Sequence, residues 1–221
     1  MCGRYGITDV QHIGERFQLY LDLDLSDLRP RYNAAPTQVL PVITEWDGHR
    51  HLQQMQWGLV PSWAKDRTRP MINARAAGIQ DKPTFRTPFK RQRCLVPATH
   101  FFEWQTVGKQ KQPYLIRPTD QPLFAFAGLY DVHYDPAVGD VYGFAIITTE
   151  ANEVTAPIHN RMPVILRREL ETAWLAPETS ALERQLLLGQ YPPSVMEAFP
   201  VSQAVNHSRR DSWDMLAPIV E

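Results

Sequence analysis

Cys2 is the residue with the most distinctive chemistry in this chain. A small residue at the second position normally leads to removal of the initiator Met1. What remains is a cysteine carrying a free α-amine beside its thiol. That amine has a reference pKa of about 7.7–8.0 against about 10.4 for lysine, so at pH 7 roughly one amine in six to ten is neutral, compared with roughly one lysine in 2,500. A neutral amine attacks an aldehyde to form a Schiff base. The neighbouring thiol then adds to the imine carbon and closes a five-membered thiazolidine. Taken alone, Cys2 is equally compatible with a chance cysteine at a frayed terminus.

A second signal lies in the charge. The net charge of -1 suggests no polyanionic partner. Within residues 61–117, however, twelve Lys or Arg stand against three Asp or Glu. Trp63, Phe85, Phe89, Phe101, Phe102 and Trp104 lie in the same stretch. Cations interleaved with aromatics suit a single-stranded nucleic acid, whose phosphates need positive charge and whose bases need flat faces. The competing reading is a solvated basic surface beside an acidic one.

Several short motifs follow Cys2 in order. They are Cys2-Gly3-Arg4-Tyr5, Arg31-Tyr32-Asn33-Ala34-Ala35-Pro36, Trp57-Gly58-Leu59-Val60-Pro61-Ser62-Trp63 and Ile72-Asn73-Ala74-Arg75. Then come Cys94-Leu95-Val96-Pro97-Ala98, Phe102-Glu103-Trp104, Ile158-His159-Asn160-Arg161-Met162-Pro163 and Val201-Ser202-Gln203-Ala204-Val205-Asn206. In this order, from residue 2 to about 206, the set closely resembles the SRAP family, the SOS response-associated peptidases, also called abasic site processing proteins.

The resemblance implies binding to abasic sites in single-stranded DNA and covalent trapping through the terminal cysteine. It makes Cys2 the nucleophile and puts Asn73, Glu103 and His159 around the crosslink. Arg4, Arg75 and Arg161 match positions that hold the DNA backbone, and Trp63 matches an aromatic packed near the lesion. The chemistry suits these roles. An abasic sugar is mostly a closed hemiacetal, and opening it needs a proton at the ring oxygen and the loss of one from the anomeric hydroxyl. Glu103 and His159 form an acid/base pair fitted to that work. Burial between Phe102 and Trp104 would raise the pKa of Glu103 toward neutrality. Glu103 could instead alternate outward on a strand, His159 could be a core or helix-end histidine, Asn73 a turn residue, and Arg75 and Arg161 ordinary surface arginines. Recognition of a site with no base to read should rest on phosphate contacts and stacking. Trp57 and Cys94 read as core.

Two positions depart from the family pattern. Ala77, followed by Gly78, stands where a Glu is common two residues after the Arg of the Asn73 motif, and Trp63 is followed by Ala64 where some members carry a second Trp. A retained Met1 would block the amine. Two other functions remain open: a Cys2-dependent N-terminal-nucleophile peptidase acting chiefly on its own first residue, and a non-catalytic single-stranded DNA-binding module. Two cysteines are too few for a disulfide scaffold or a thiolate zinc site, so no metal and no cofactor is expected. No apolar run approaches the length of a membrane span, and the N-terminus lacks the apolar core of a signal peptide, so the expectation is a cytoplasmic protein.

The elements that must position these residues are short. Strand-like runs occur at 38–44, 51–59, 93–98, 113–117, 123–130, 141–149 and 163–166, bounded by Pro, Gly or Asp. A capping box at Thr8-Asp9-Val10-Gln11 and apolar residues at helical spacing predict a helix over 9–21. Further helices are predicted over 168–175, stopping at Pro177, and from the capping box at Ser180 to Gly189. Hydrophobic residues at 43% and charged residues at 21% are those of a folded globular chain. The expected fold is one α+β, mainly-β domain over residues 1–221, with a curved antiparallel-rich sheet and peripheral helices, which agrees with the fold the resemblance implies.

Overall fold

Nineteen prolines shape the chain. Proline lacks an N–H and fixes φ, so it suits strand edges, turns and the first helical turn. The computed structural model describes residues 2–20 and 27–219 and is mainly β. Its strands are β1 (Arg4–Ile7), β2 (Arg31–Ala34), β3 (Val39–Trp46), β4 (His49–Trp57), β5 (Asn73–Arg75), β6 (Arg93–Ala98), β7 (His100–Val107), β8 (Gln110–Pro118), β9 (Phe124–Asp135), β10 (Gly139–Glu150), β11 (Arg161–Pro163), β12 (Ile165–Leu166) and β13 (Met196–Pro200). The α-helices are α1 (Ile13–Phe17), α2 (Pro83–Arg91), α3 (Glu171–Leu175) and α4 (Ala181–Leu186).

The strands form two sheets rather than the one expected. A five-stranded sheet runs β13-β8-β7-β1-β2, and an eight-stranded sheet runs β11-β10-β4-β3-β6-β9-β12, with β5 paired to β10. Strand pairing is antiparallel except where β10 meets β4 and β5. Aromatic side chains join the two sheets. Tyr5 meets Trp57 edge-on at 5.0 Å and Phe126 at 5.8 Å, and Phe101 meets Phe126 at 6.0 Å. Trp57 and Cys94 are fully buried, as the sequence indicated.

All seven strand-like runs lie in strands, the last divided between β11 and β12, but the helices differ from expectation, and the one expected over 168–175 is α-helical only from Glu171. The helix expected over 9–21 is only Ile13–Phe17. The Thr8 hydroxyl and N–H turn to Thr99, and Asp9 bonds the His12 ring, so the expected capping box does not form. Gln18 then adopts φ 54°, and Leu19 bridges to Arg50 of β4. Leu21 lies outside the described residues. Conversely, α2 is unexpected because Pro83 and Pro88 look like breakers. Pro83 occupies the first turn, where no N–H is needed, and Phe85, Pro88 and Phe89 bury one face. The Ser180 capping box is present, with Glu183 N–H donating to Ser180 Oγ at 3.2 Å and Ser180 N–H to Glu183 Oε2 at 2.8 Å. Its helix stops at Leu186, short of Gly189.

Buried arginines hold the periphery together. Arg93 donates to the carbonyls of Phe89 and Lys90 at the end of α2, and to those of Trp174, Leu175 and Ala176 at the end of α3. Five carbonyls accept from it, and burial, then the charge of Arg184, push its pKa down to about 10. Glu171 receives Arg16 through two bonds of 2.7 and 3.1 Å and Arg50 at 3.4 Å. Glu171→Ala would take from Arg16 its paired carboxylate and leave Arg50 only Glu45 at 3.9 Å, a loss of about 3–5 kcal/mol. Urea unfolding of wild type and variant measures it; a loss below about 1 kcal/mol would place the pair among weak surface bridges.

His100 ties β7 to β2. A Cβ on Gly6 would lie 2.2 Å from the His100 ring, so only glycine fits opposite it in β1. The His100 Nε2–H donates to the Tyr32 carbonyl at 3.0 Å. Burial pushes its pKa down to about 4. The unfolded histidine titrates near 6.5, so the unfolded chain binds the extra proton first. The stability is therefore present above pH ~6.5 and is lost as pH falls toward the folded pKa, by on the order of 3 kcal/mol. Unfolding curves from pH 7.5 to 4 should show this slope in wild type and less of it in His100→Gln. Equal slopes would contradict the assignment.

Candidate nucleic-acid and catalytic site

The chain terminus is placed by the register of β1. Arg4 faces Phe102, Tyr5 faces Phe101 and Gly6 faces His100 in antiparallel pairing. Continued backwards one for one, that register sets Gly3 opposite Glu103 and Cys2 opposite Trp104. Cys2 is not frayed; it is 0% exposed, with its thiol 3.8 Å from the Arg4 carbonyl. Burial, and after it the nearby charge of Glu103, push the Cys2 thiol far above its ordinary range.

Asn73 arrives from the second sheet. It opens β5, held beside Ile146 of β10, and the Trp57 indole N–H donates to the preceding Ile72 carbonyl at 3.0 Å. From there Asn73 Nδ2 donates to the Cys2 carbonyl at 2.9 Å. Glu103, on β7, is 3% exposed between its aromatic neighbours. His159 ends a turn that Asn152 organises by accepting from the Val154 and Thr155 N–H groups and the Thr155 hydroxyl. Its Nδ1 lies 3.0 Å from the Arg161 N–H and 3.2 Å from the Arg161 carbonyl, so both polar groups of that peptide face the ring. Glu103 and His159 line one open cavity of about 410 Å³ together with Trp104, Lys111 and Asn206.

Arg75 and Arg161 converge on one residue. Arg75 pairs with Thr148 across β5 and β10, and Arg161 donates to the Thr148 hydroxyl at 2.8 Å and to its carbonyl at 2.5 Å. Burial first, and then the charge of Arg75, lower the pKa of Arg161. Arg4 is different. Its Nη1 donates to the Val205 carbonyl at 2.8 Å and to Asn33 Oδ1 at 3.2 Å, so one end of the guanidinium already serves the protein. Trp63 is 63% exposed on a loop closed at its base by two hydrogen bonds between Leu59 and Met71. It does not line the cavity of Glu103 and His159.

The basic, aromatic stretch is less uniform than its composition suggested. Phe85, Phe89, Phe101 and Phe102 are core residues, and Arg93 is interior. Trp63 is exposed, with Lys65, Arg67 and Arg69 on the same loop, and Trp104 is half-buried. Lys111, Asn206 and Thr148 had no role in the sequence reading. Asn206 had a signal in the Val201–Asn206 motif, and Trp104 Nε1 donates to its Oδ1 at 2.7 Å. Lys111 and Thr148 had none, because only strand pairing brings them to the site. Among the described residues no group of three or more His, Cys, Asp or Glu is placed to hold a metal ion. No described helix is long and apolar enough to cross a membrane.

The model of the SOS response associated peptidase (SRAP) family matches residues 1–208. The abasic site processing protein YoqW of Bacillus subtilis (strain 168) is 40% identical over 222 residues, covering 98% of this chain and 99% of YoqW. The abasic site processing protein YedK of Escherichia coli (strain K12) is 29% identical over 227 residues, covering 99% of this chain and 100% of YedK. A solved structure of a protein from Bacteroides thetaiotaomicron has a TM-score of 0.89 at 31% identity, covering 99% of this chain and 100% of that one.

Proposed function

Since the chain belongs to the SRAP family, we propose that it captures abasic sites in single-stranded DNA as a covalent adduct on Cys2. The observation that carries this reading is the meeting of four residues far apart in sequence. Asn73 bonds Cys2, Glu103 acts on the Cys2 thiol through its charge, and His159 shares a cavity with Glu103.

Removal of Met1 frees the Cys2 amine. One of Glu103 and His159 takes the anomeric hydroxyl proton while the other protonates the ring oxygen, and the sugar opens to its aldehyde. The amine adds to the aldehyde carbon, and the resulting carbinolamine loses water to give an imine. The Cys2 sulfur then adds to the imine carbon, and the thiol proton passes to the nitrogen. Aldehyde and cysteine thus yield a thiazolidine and one water, with no oxidant. The high thiol pKa favours this order, since the amine is the available nucleophile and sulfur enters second. Asn73 fixes the terminal residue through its carbonyl. Loss of a sugar proton next to the imine would expel the 3′ phosphate, so strand cleavage is the side path of the same intermediate.

The Arg75 and Arg161 charges oppose each other around Thr148, and a DNA phosphate between them would relieve the repulsion. Trp63, with the cations of its loop, suits a flanking base and its phosphates. Arg4 contributes its outer guanidinium edge.

The test uses the processed protein, its N-terminus verified as Cys2, with abasic and intact single-stranded oligonucleotides. A species that survives denaturation with the abasic strand alone is expected. Binding without such a species indicates a simple binding module, and cleavage of added peptides indicates a peptidase.

A further inference from the structure

The segment after Asn206 is tied down more firmly than a tail needs to be. The Asn33 side chain, 0% exposed, donates to the carbonyls of Val205, His207 and Arg210 at 3.3, 3.2 and 3.0 Å. Asp211 accepts from the Tyr32 and Asn33 N–H groups and pairs with Arg31 at 2.6 Å. Met215 is buried in a cluster with Phe102, Val201 and Val205. On this fixed frame Trp213 stands 73% exposed, more than Trp63. A single exposed aromatic is ordinary on a protein surface. This one has company. Arg209 makes no ion pair among the described residues, Arg210 meets Asp214 only at 3.7 Å with both half-exposed, and the Asp211 charge is met by Arg31.

We infer that residues 209–213 form a second nucleic-acid contact, which takes unpaired nucleotides flanking the lesion on one side. Trp213 stacks on a base, and Arg209 and Arg210 meet phosphates. The inference rests on the reading of the protein as a binder of lesions in single-stranded DNA. Position supports it, because Asn206 lines the cavity of Glu103 and His159. The seven residues from Asn206 to Trp213 span at most about 25 Å, so a strand leaving the cavity reaches the indole within a few nucleotides. Rigidity supports it too, because a stacking platform already fixed in place loses little entropy on binding.

The experiment compares wild type, Trp213→Ala, Trp213→Phe and Arg209→Ala on three single-stranded oligonucleotides. One has a single nucleotide on each side of the lesion; the others extend by about ten nucleotides on the 5′ or the 3′ side only, within the site sizes of single-strand binders. Intact strands of the same lengths give the non-covalent affinity. Wild type should prefer one extended strand to the short one. Trp213→Ala should lose that preference, with affinity about five- to hundredfold weaker on the extended strand, and Trp213→Phe should retain most of it. Arg209→Ala should reduce the slope of log K against log salt by about 0.7 on the same strand. Capture of the short strand should be unchanged throughout. Equal behaviour of Trp213→Ala and wild type on all strands overturns the inference, and so does an equal loss on short and extended strands, which would mark a folding role. If wild type forms no adduct with any abasic strand, the capture reading fails by itself, and the intact strands still decide whether residues 209–213 bind DNA.

Discussion

Cys2→Ala should abolish the denaturation-resistant adduct while leaving non-covalent binding to single-stranded DNA nearly unchanged. Alanine is small enough for Met1 to be removed, so the terminal amine survives and only the sulfur is lost. The imine still forms, but nothing closes the ring, and hydrolysis returns the free aldehyde. Borohydride should trap that imine, and omission of borohydride should leave no adduct on a denaturing gel. The contacts to DNA assigned to Arg75, Arg161 and Trp63 involve other elements of the fold, which is why affinity should persist. A stable adduct from Cys2→Ala without reductant would contradict ring closure by the thiol.

Glu103→Gln and His159→Ala should each slow adduct formation by about 10²–10⁴-fold, the usual range for a lost general acid or base. Glutamine keeps the shape and a hydrogen bond but cannot take a proton. The same proton transfers run backwards reopen the ring, so movement of the protein from one abasic strand to a competing one should slow in parallel. Glu103→Gln carries a second, opposite signature. The Glu103 carboxylate helps to hold the Cys2 thiol above its ordinary pKa range, so its neutralisation should make the thiol more acidic. Alkylation of Cys2 by iodoacetamide should then proceed at lower pH in Glu103→Gln than in wild type, although capture of the lesion is slower. If both variants match wild type in formation and transfer rates, neither residue is the catalyst.

The strands were legible where apolar residues ran continuously between breakers, as in β6, β9 and β10. The short strands β1, β2 and β5 were not, because three or four residues carry no periodicity of their own and exist only by pairing with longer neighbours. Helix α2 was hidden by its two prolines: Pro83 sits in the first turn, where no N–H is needed, and Pro88 lies in the interior of a helix held by the burial of Phe85, Pro88 and Phe89. At the site, the order of motifs gave Cys2, Asn73, Glu103 and His159 as a set, and the geometry brings them together. What the motifs could not give is the double use of Arg4, whose inward bonds to Asn33 and Val205 depend on a segment two hundred residues away. Nor could composition separate the aromatics of 61–117 into core and surface, because burial depends on which sheet face each residue takes.

The burial of Cys2 also bears on how long the protein stays usable. Peroxides and other oxidants attack the thiolate, and they must reach it. The Cys2 sulfur is closed off from solvent and held protonated by its surroundings, including the Glu103 carboxylate. A protein whose capture depends on a single sulfur gains from such shelter, because each sulfenic acid formed beforehand would remove a molecule from service. The price is access, since the wall around the terminus must yield to the sugar before sulfur can reach it. Resistance to hydrogen peroxide and speed of capture are therefore set against each other by the same few side chains.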